Sequence, residues 1–289
     1  FGGVKMKKGL LKLVLGTMSI LALAACGNTS DTADSSATDS AASTATTDKL
    51  QEIKDKGKLV MGTSADYPPY EWHLIKDGKD EIIGFDIDIA QAIADELGVE
   101  LEVKDMDFDG LIPALTTGKI DIIIAGMNAT EERKQSVDFT DVYYTQTDIV
   151  VIRKEDADKF TSEDSLKTAK LATQKATVQE TYLLEAFPDA EIQSVPKWNT
   201  AIMSLTTGKV DAVMMVDTVA KQFIAQNDDL MVANFDINST PNAAAIAVAK
   251  NGGDFLETVN NIVNEMKESG KIEELYQLND QIVTDNTAE

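Results

Sequence analysis

Ala114-Leu115-Thr116-Thr117-Gly118-Lys119-Ile120-Asp121-Ile122-Ile123-Ile124 returns ninety positions later as Ser204-Leu205-Thr206-Thr207-Gly208-Lys209-Val210-Asp211-Ala212-Val213-Met214. Each copy reads as the end of a helix, a glycine able to take the left-handed cap, and a short apolar strand. Six of the seven residues from Leu115 to Asp121 recur, and Phe108 and Trp198 keep the same offset to Gly118 and Gly208. Helix-glycine-strand junctions are common in α/β proteins, but they do not preserve that many identities by chance. One substructure is therefore used twice, which predicts two lobes whose strand ends face one cleft.

The chain of 289 residues is long enough for two domains, and 43% hydrophobic residues is the content of an ordinary globular protein. A formal charge of -23 argues against a nucleic-acid backbone as partner. One cysteine, Cys26, excludes an intramolecular disulfide and a thiolate metal cluster. One histidine, His73, argues against a histidine metal site or a catalytic triad.

Lys7 and Lys8 precede an apolar run over 10–25, so residues 1–25 read as a secretory signal peptide, too short for a membrane span. The run ends Leu23-Ala24-Ala25-Cys26-Gly27, which resembles the lipobox of bacterial lipoproteins. That resemblance implies a lipidated Cys26 at the mature N-terminus, carrying palmitate-type acyl chains as a membrane anchor. Ordinary signal cleavage, with Cys26 incidental, is the alternative. Residues 28–48 are almost entirely Ser, Thr, Ala and Asp, so 26–49 is expected to be a disordered tether.

The globular body is expected from residue 50. A strand over 58–63, a rigid loop at 66–70, a short strand or turn at 81–84, a helix over 86–97 and a strand over 99–103 precede the first repeat. Its helix has Asp107 or Asp109 as candidate cap. This β-α-β-α-β order predicts a doubly wound α/β lobe with a parallel sheet. Residues 143–153 read as a strand crossing into a second lobe, with strands at 170–173, 191–195 and 210–216 and a return crossing at 235–237. Lobe 1 is then 50–146 with 237–289, lobe 2 is 147–236, and two strands form the hinge.

Ligands of doubly wound sheets sit beyond the carboxyl ends of strands. After the first repeat comes Ala125-Gly126-Met127-Asn128-Ala129-Thr130-Glu131-Glu132-Arg133. With Thr130 as N-cap, Arg133 falls at a helix start, where guanidinium and free N–H groups suit a carboxylate. A surface pair with a nearby acid is the competing reading. In the second lobe Gln174 and Thr177 follow a strand, with Thr177 and Glu180 forming a capping box. Asp217 ends the second repeated strand and suits either an N-cap or an ammonium. A zwitterion fits the set, with carboxylate to Arg133 and Thr177 and ammonium to Asp217. Tyr67 and Tyr70 flank two prolines and, with Trp72 and Phe108, are candidates for the pocket wall.

Gly62-Thr63-Ser64-Ala65-Asp66-Tyr67-Pro68-Pro69-Tyr70, Gly84-Phe85-Asp86-Ile87-Asp88, Phe108-Asp109-Gly110-Leu111-Ile112-Pro113-Ala114-Leu115 and Thr130-Glu131-Glu132-Arg133 resemble the polar amino-acid solute-binding proteins of ABC importers. The resemblance runs from about Leu50 to the C-terminus. It implies the type II periplasmic-binding-protein fold, closing on one amino acid, with Tyr67 as stacking aromatic, Gly126 and Asn128 at the ligand, Arg133 and Thr177 on the carboxylate, and Asp217 on the ammonium. The sequence departs from basic-amino-acid binders at Ser64, at Ala125-Gly126 and at Lys175, and Glu71 or Asp66 then becomes the candidate negative charge. Arginine, lysine, glutamine and cystine all remain open. The resemblance further implies a monomer on the extracellular face of a bacterial membrane, ABC permease subunits as partners, and no catalytic residue, cofactor or metal. A dehydratase-like enzyme on the same scaffold, or a surface sensor or adhesin, are the alternatives.

Overall fold

The computed structural model describes residues 48–287. The signal, lipidation and most of the tether expectations lie outside the described residues. No described helix is long and apolar enough to cross a membrane.

Asp48 caps helix α1 (Lys49–Lys56) by accepting from the Leu50 N–H at 3.0 Å, and Gly57 closes it in the left-handed conformation. The helix begins within a residue of the expected start of the globular body, where the sequence reading placed no helix. Strand β1 (Lys58–Thr63) follows, then an antiparallel meander of β2 (Asp66–Tyr67), β3 (Glu71–Lys76) and β4 (Lys79–Ile83). The expected loop at 66–70 is thus the first corner of a small sheet. Helix α2 (Phe85–Leu97) buries Ile89, Ala90, Ile93, Ala94 and Leu97 on one face, at the 3.6-residue period. Next come β5 (Glu100–Asp105), α3 (Leu111–Thr116), β6 (Ile122–Ile123) and the long β7 (Val137–Gln146). No side chain caps the turn ahead of α3, contrary to the expectation for Asp107 or Asp109.

The chain leaves the first sheet at Thr147. The run over 143–153 is two strands, because β8 (Asp148–Arg153) belongs to the other sheet. That sheet adds β9 (Lys170–Gln174), β10 (Glu191–Val195), β11 (Ala212–Val216) and β12 (Leu230–Val232), with helices α4 (Val178–Ala186), α5 (Trp198–Thr206) and α6 (Asp217–Ala225). Residues 233–241 return the chain to β13 (Asn242–Ala249), and α7 (Gly253–Glu268) and α8 (Lys271–Thr287) finish the body.

The first sheet has the order β5-β1-β6-β13-β7 and the second β10-β9-β11-β8-β12. Three strands of each are parallel, and the two strands added on the far side, β13 with β7 and β8 with β12, run antiparallel to their neighbours. Each sheet is therefore mixed where all-parallel pairing was expected. The exceptions are the strands next to the crossings: β8 and β13 have just arrived from the other half, and β7 and β12 are the last strands before the chain leaves.

The repeat is conserved in its bonding. Gly118 and Gly208 have φ of 70° and 71°. Lys119 N donates to Ala114 O and Lys209 N to Ser204 O, both at 2.9 Å. Thr117 Oγ1 and Thr207 Oγ1 each donate to the carbonyl four residues back at 2.7 Å. Asp121 then ties its segment to β1, accepting from Val60 N at 2.9 Å, and Asp211 ties the second copy to β9, accepting from Lys170 N at 2.9 Å. The matching residues do the same work in both sheets, and both strands deliver their C-terminal ends to one place.

Candidate functional site

At those strand ends lies a narrow cavity of about 20 Å³. Ser64, Tyr67, Glu71, Phe108, Ala125, Gly126, Asn128 and Arg133 line it from the first half, and Gln174, Thr177, Val178, Gln179 and Trp198 from the second. Ten of the twelve expected ligand contacts are thereby brought together.

Two are not. Tyr70 is fully buried, its ring 4.4 Å from Phe85 and 6.2 Å from Tyr144 by centroids, so it belongs to the core and not to the cavity wall. The prolines orient Tyr67 outward and Tyr70 inward. Asp217 is the first residue of α6, and its carboxylate accepts from Lys221 one turn on, at 3.3 Å. It lies outside the lining, yet its charge reaches the Tyr67 phenol, where it adds to the larger effect of burial in raising the pKa. Trp72, also considered for the wall, is buried away from the cavity.

Arg133 joins the two halves. Thr130 does not start a helix of length; its Oγ1 accepts from the Arg133 N–H at 3.2 Å and a single 3-10 turn follows. The guanidinium donates through Nη1 to Asn128 O at 2.8 Å and through Nη2 to Ala176 O at 2.7 Å, across the cleft. Its Cζ stands 5.4 Å from the Phe108 ring centroid, within cation–π range. Among the described residues no carboxylate pairs with it; burial lowers its pKa to about 10, and the Glu132 charge only partly opposes this. A half-buried cation without an anion is an electrostatic deficit that a ligand carboxylate can fill. Ala176, which receives Nη2, has φ of 62°, a conformation non-glycine residues rarely adopt. Beside it Thr177 caps α4, accepting from Glu180 N at 3.3 Å, while Glu180 Oε2 takes the Ala176 N–H at 2.6 Å. The capping box is present, closed one residue early.

The opposite wall is aromatic. Tyr67 stacks on Trp198 with centroids 6.1 Å apart and planes at 27°. Gly126 has φ of 55°, and a Cβ there would meet the Tyr67 ring at 3.0 Å, so only glycine lets the backbone pass under that ring. Trp198 is absent from the expected contacts although the repeat pointed to it: it occupies the place that Phe108 holds in the first copy, and both rings line the cavity. A second set of cross-cleft bonds lies alongside. Asp66 accepts from the Trp198 backbone N–H at the start of α5, and Lys197 Nζ donates to Asp105 Oδ1 at 3.0 Å and Ser64 Oγ at 3.3 Å. Burial raises the Asp66 pKa to about 6 despite the Lys197 charge. A wider groove shares Asn128, Arg133 and Thr177 with the cavity and opens to solvent on their other side.

Residues 59–278 match the sequence profile of the bacterial extracellular solute-binding proteins, family 3. The chain belongs to that family. Over 273 residues this solute-binding protein is 34% identical to the arginine-binding extracellular protein ArtP of Bacillus subtilis, covering 93% of this chain and 96% of that one. A crystal structure of an amino acid ABC transporter substrate-binding protein from Streptococcus pneumoniae bound to L-arginine superposes with a TM-score of 0.77 at 39% identity, covering 81% of this chain and 98% of that one. The ancestral amino acid-binding protein AncCDT-1, described as a precursor of cyclohexadienyl dehydratase, is 37% identical with a TM-score of 0.72, covering 79% and 97%. The family places the fold in the type II periplasmic-binding-protein class.

Proposed function

We propose that this solute-binding protein captures one L-amino acid between its two halves and delivers it to the permease of an ABC importer. The observation that carries the reading is the half-buried Arg133 guanidinium, which bridges both halves with no acid paired to it among the described residues. In this reading Arg133 and Thr177 take the ligand carboxylate, with Asn128 and Gln174 beside it. Tyr67, Trp198 and Phe108 wall the side chain, and Ser64, Ala125 and Gly126 line its floor. The lobes that close are 50–146 with 237–289 and 147–236, hinged at the two crossings, and the permease reads the closed form. Cys26 carries the lipid anchor on the outer face of the membrane, and the protein acts as a monomer.

Binding without catalysis is favoured over a dehydratase role because the sole histidine, His73, is paired with Asp80 at 2.8 Å outside the cavity. The test is calorimetry of purified protein with the common L-amino acids, cystine and ornithine, alongside agmatine, which lacks the carboxylate of arginine. One-to-one binding of an L-amino acid, recovered unchanged, with no binding of agmatine supports the reading. No binding of any amino acid, or equal binding of agmatine, contradicts it.

A further inference from the structure

Helix α5 begins without a cap of its own. Lys197 stands at its N-cap position and makes no side-chain bond to the helix, in a place where Ser, Thr, Asp or Asn would accept from the first free N–H groups. The acceptor comes from the other half instead: Asp66, buried on β2, takes the Trp198 N–H through Oδ2. Lys197 turns its ammonium back across the cleft, onto Asp105 Oδ1 at 3.0 Å, Ser64 Oγ at 3.3 Å and Met106 O at 3.4 Å. The receiving side is fixed within the first half. Asp105 Oδ1 also accepts from the Ala65 N–H at 2.8 Å, and Ser64 Oγ donates to Asp66 Oδ1 at 3.3 Å. Each half thus supplies what the other lacks, a carboxylate for a bare helix start and a lysine for two acids.

Lys197, Asp66, Asp105 and Met106 do not line the cavity, whereas their neighbours Ser64 and Trp198 do. The bonds are therefore one residue removed from the ligand wall, and the helix start they hold is the one that carries the Trp198 ring to Tyr67. Another ion pair crosses the cleft, Lys175 Nζ to Asp109 Oδ2 at 2.7 Å, but its lysine is 57% exposed. Such a pair is screened by solvent and contributes little. Lys197 is 26% exposed, and its bonds come with the buried Asp66 and a backbone N–H. Of the two, this is the set able to bias closure.

We propose that Lys197, with Asp66 and Asp105, forms a closure latch that touches no part of the ligand and sets how long the closed form holds it. The inference rests on the two-lobed capture reading above and adds residues that act on the lobes instead of on the amino acid. When the halves separate, Lys197 returns to water, the Trp198 N–H loses its carboxylate, and the two acids lose their lysine. Those losses fall on the open form alone. Breaking the latch shifts the balance between open and closed by one factor, whichever amino acid is bound. Release requires opening, so the shift is read chiefly in the dissociation rate. Lys197 is a positioning residue in this sense, unlike Arg133, whose loss would be felt by the ligand carboxylate itself.

The experiment is stopped-flow kinetics and calorimetry with the common L-amino acids, L-arginine and L-glutamine first. It is run near pH 8 so that His73, whose Nε2 is 3.7 Å from Asp105 Oδ2, carries no charge. Lys197→Met should raise the dissociation rate roughly five- to thirty-fold, the scale of one sheltered charged hydrogen bond, with the association rate within about threefold of wild type. The factor should agree within about twofold between ligands, because the lysine meets none of them. Asp105→Asn should act in the same direction, and the double variant should lose no more than the larger single effect. Lys197→Arg should restore most of the wild-type rate, and Lys197→Gln serves if the methionine variant does not fold. Wild-type dissociation in both Lys197→Met and Lys197→Gln, a factor that differs more than about tenfold between ligands, or fully additive effects of the two sites overturns the latch while leaving amino-acid capture intact. Failure of every L-amino acid to bind the wild type removes both.

Discussion

Replacing Arg133 by methionine should separate stability from function. In the free protein the change loses hydrogen bonds to Asn128 O and Ala176 O and the contact with Phe108, about 1 kcal/mol each. It also removes a half-buried cation with no paired anion, whose partial desolvation lowers its pKa to about 10 and costs roughly a few kcal/mol. The two terms oppose, so unfolding free energy should stay within about 1–2 kcal/mol of wild type. Ligand affinity should fall roughly thirty-fold to a few thousand-fold, because the ligand carboxylate would be left in the cavity without its partner. Urea unfolding without ligand gives the first quantity and calorimetry the second. A variant that unfolds more than about 3 kcal/mol more easily yet binds amino acids within threefold of wild type would make Arg133 a structural residue and refute the reasoning.

Gly126→Ala should fold with a loss of about 1–2 kcal/mol from its left-handed backbone, while displacement of the Tyr67 ring weakens ligand binding at least about tenfold by calorimetry. The repeat predicts unequal costs for its two aspartates. Asp121→Ala, which strands the buried Val60 N–H and two lysine contacts, should cost about 3 kcal/mol in urea; Asp211→Ala, whose side chain is 36% exposed, should cost about 1 kcal/mol. Burial works against the Asp121 ion, but the hydrogen bonds of Lys49, Lys56 and Val60 outweigh it and hold its pKa below the usual range. Its stabilisation is thus present above about pH 4 and lost as the pH falls further, a loss Asp121→Ala should not show. Asp66 has the opposite sign. With its pKa raised to about 6, the folded state binds the extra proton, so wild type should gain stability relative to Asp66→Asn as pH falls from 6 to 4. Chemical denaturation at several pH values checks both.

The repeated stretch carried the architecture because it records local events: a left-handed glycine, a threonine hydroxyl on the preceding turn, and an aspartate that fastens the next segment to its neighbour. Each leaves a residue-level trace. The small sheet of β2, β3 and β4 was hidden because two prolines make its corner read as a rigid loop, and the division of 143–153 falls in the polar stretch Thr145-Gln146-Thr147-Asp148, which is too short to stand out between two apolar runs. Most cavity residues were legible as the positions just after strands. Tyr70 was misplaced because a proline-flanked aromatic does not reveal which way it turns. Trp198 could have been found by carrying Phe108 across the repeat. Lys197 could not, since its role exists only once Asp105 and Ser64 reach it from distant parts of the chain.

A crystal structure of the protein grown with L-arginine tests the central claim most directly. We expect one molecule between the two sheets, its carboxylate on the Arg133 guanidinium and the Thr177 hydroxyl, its side chain between Tyr67 and Trp198. Arginine bound elsewhere, or an Arg133 side chain turned away from the ligand, would contradict it.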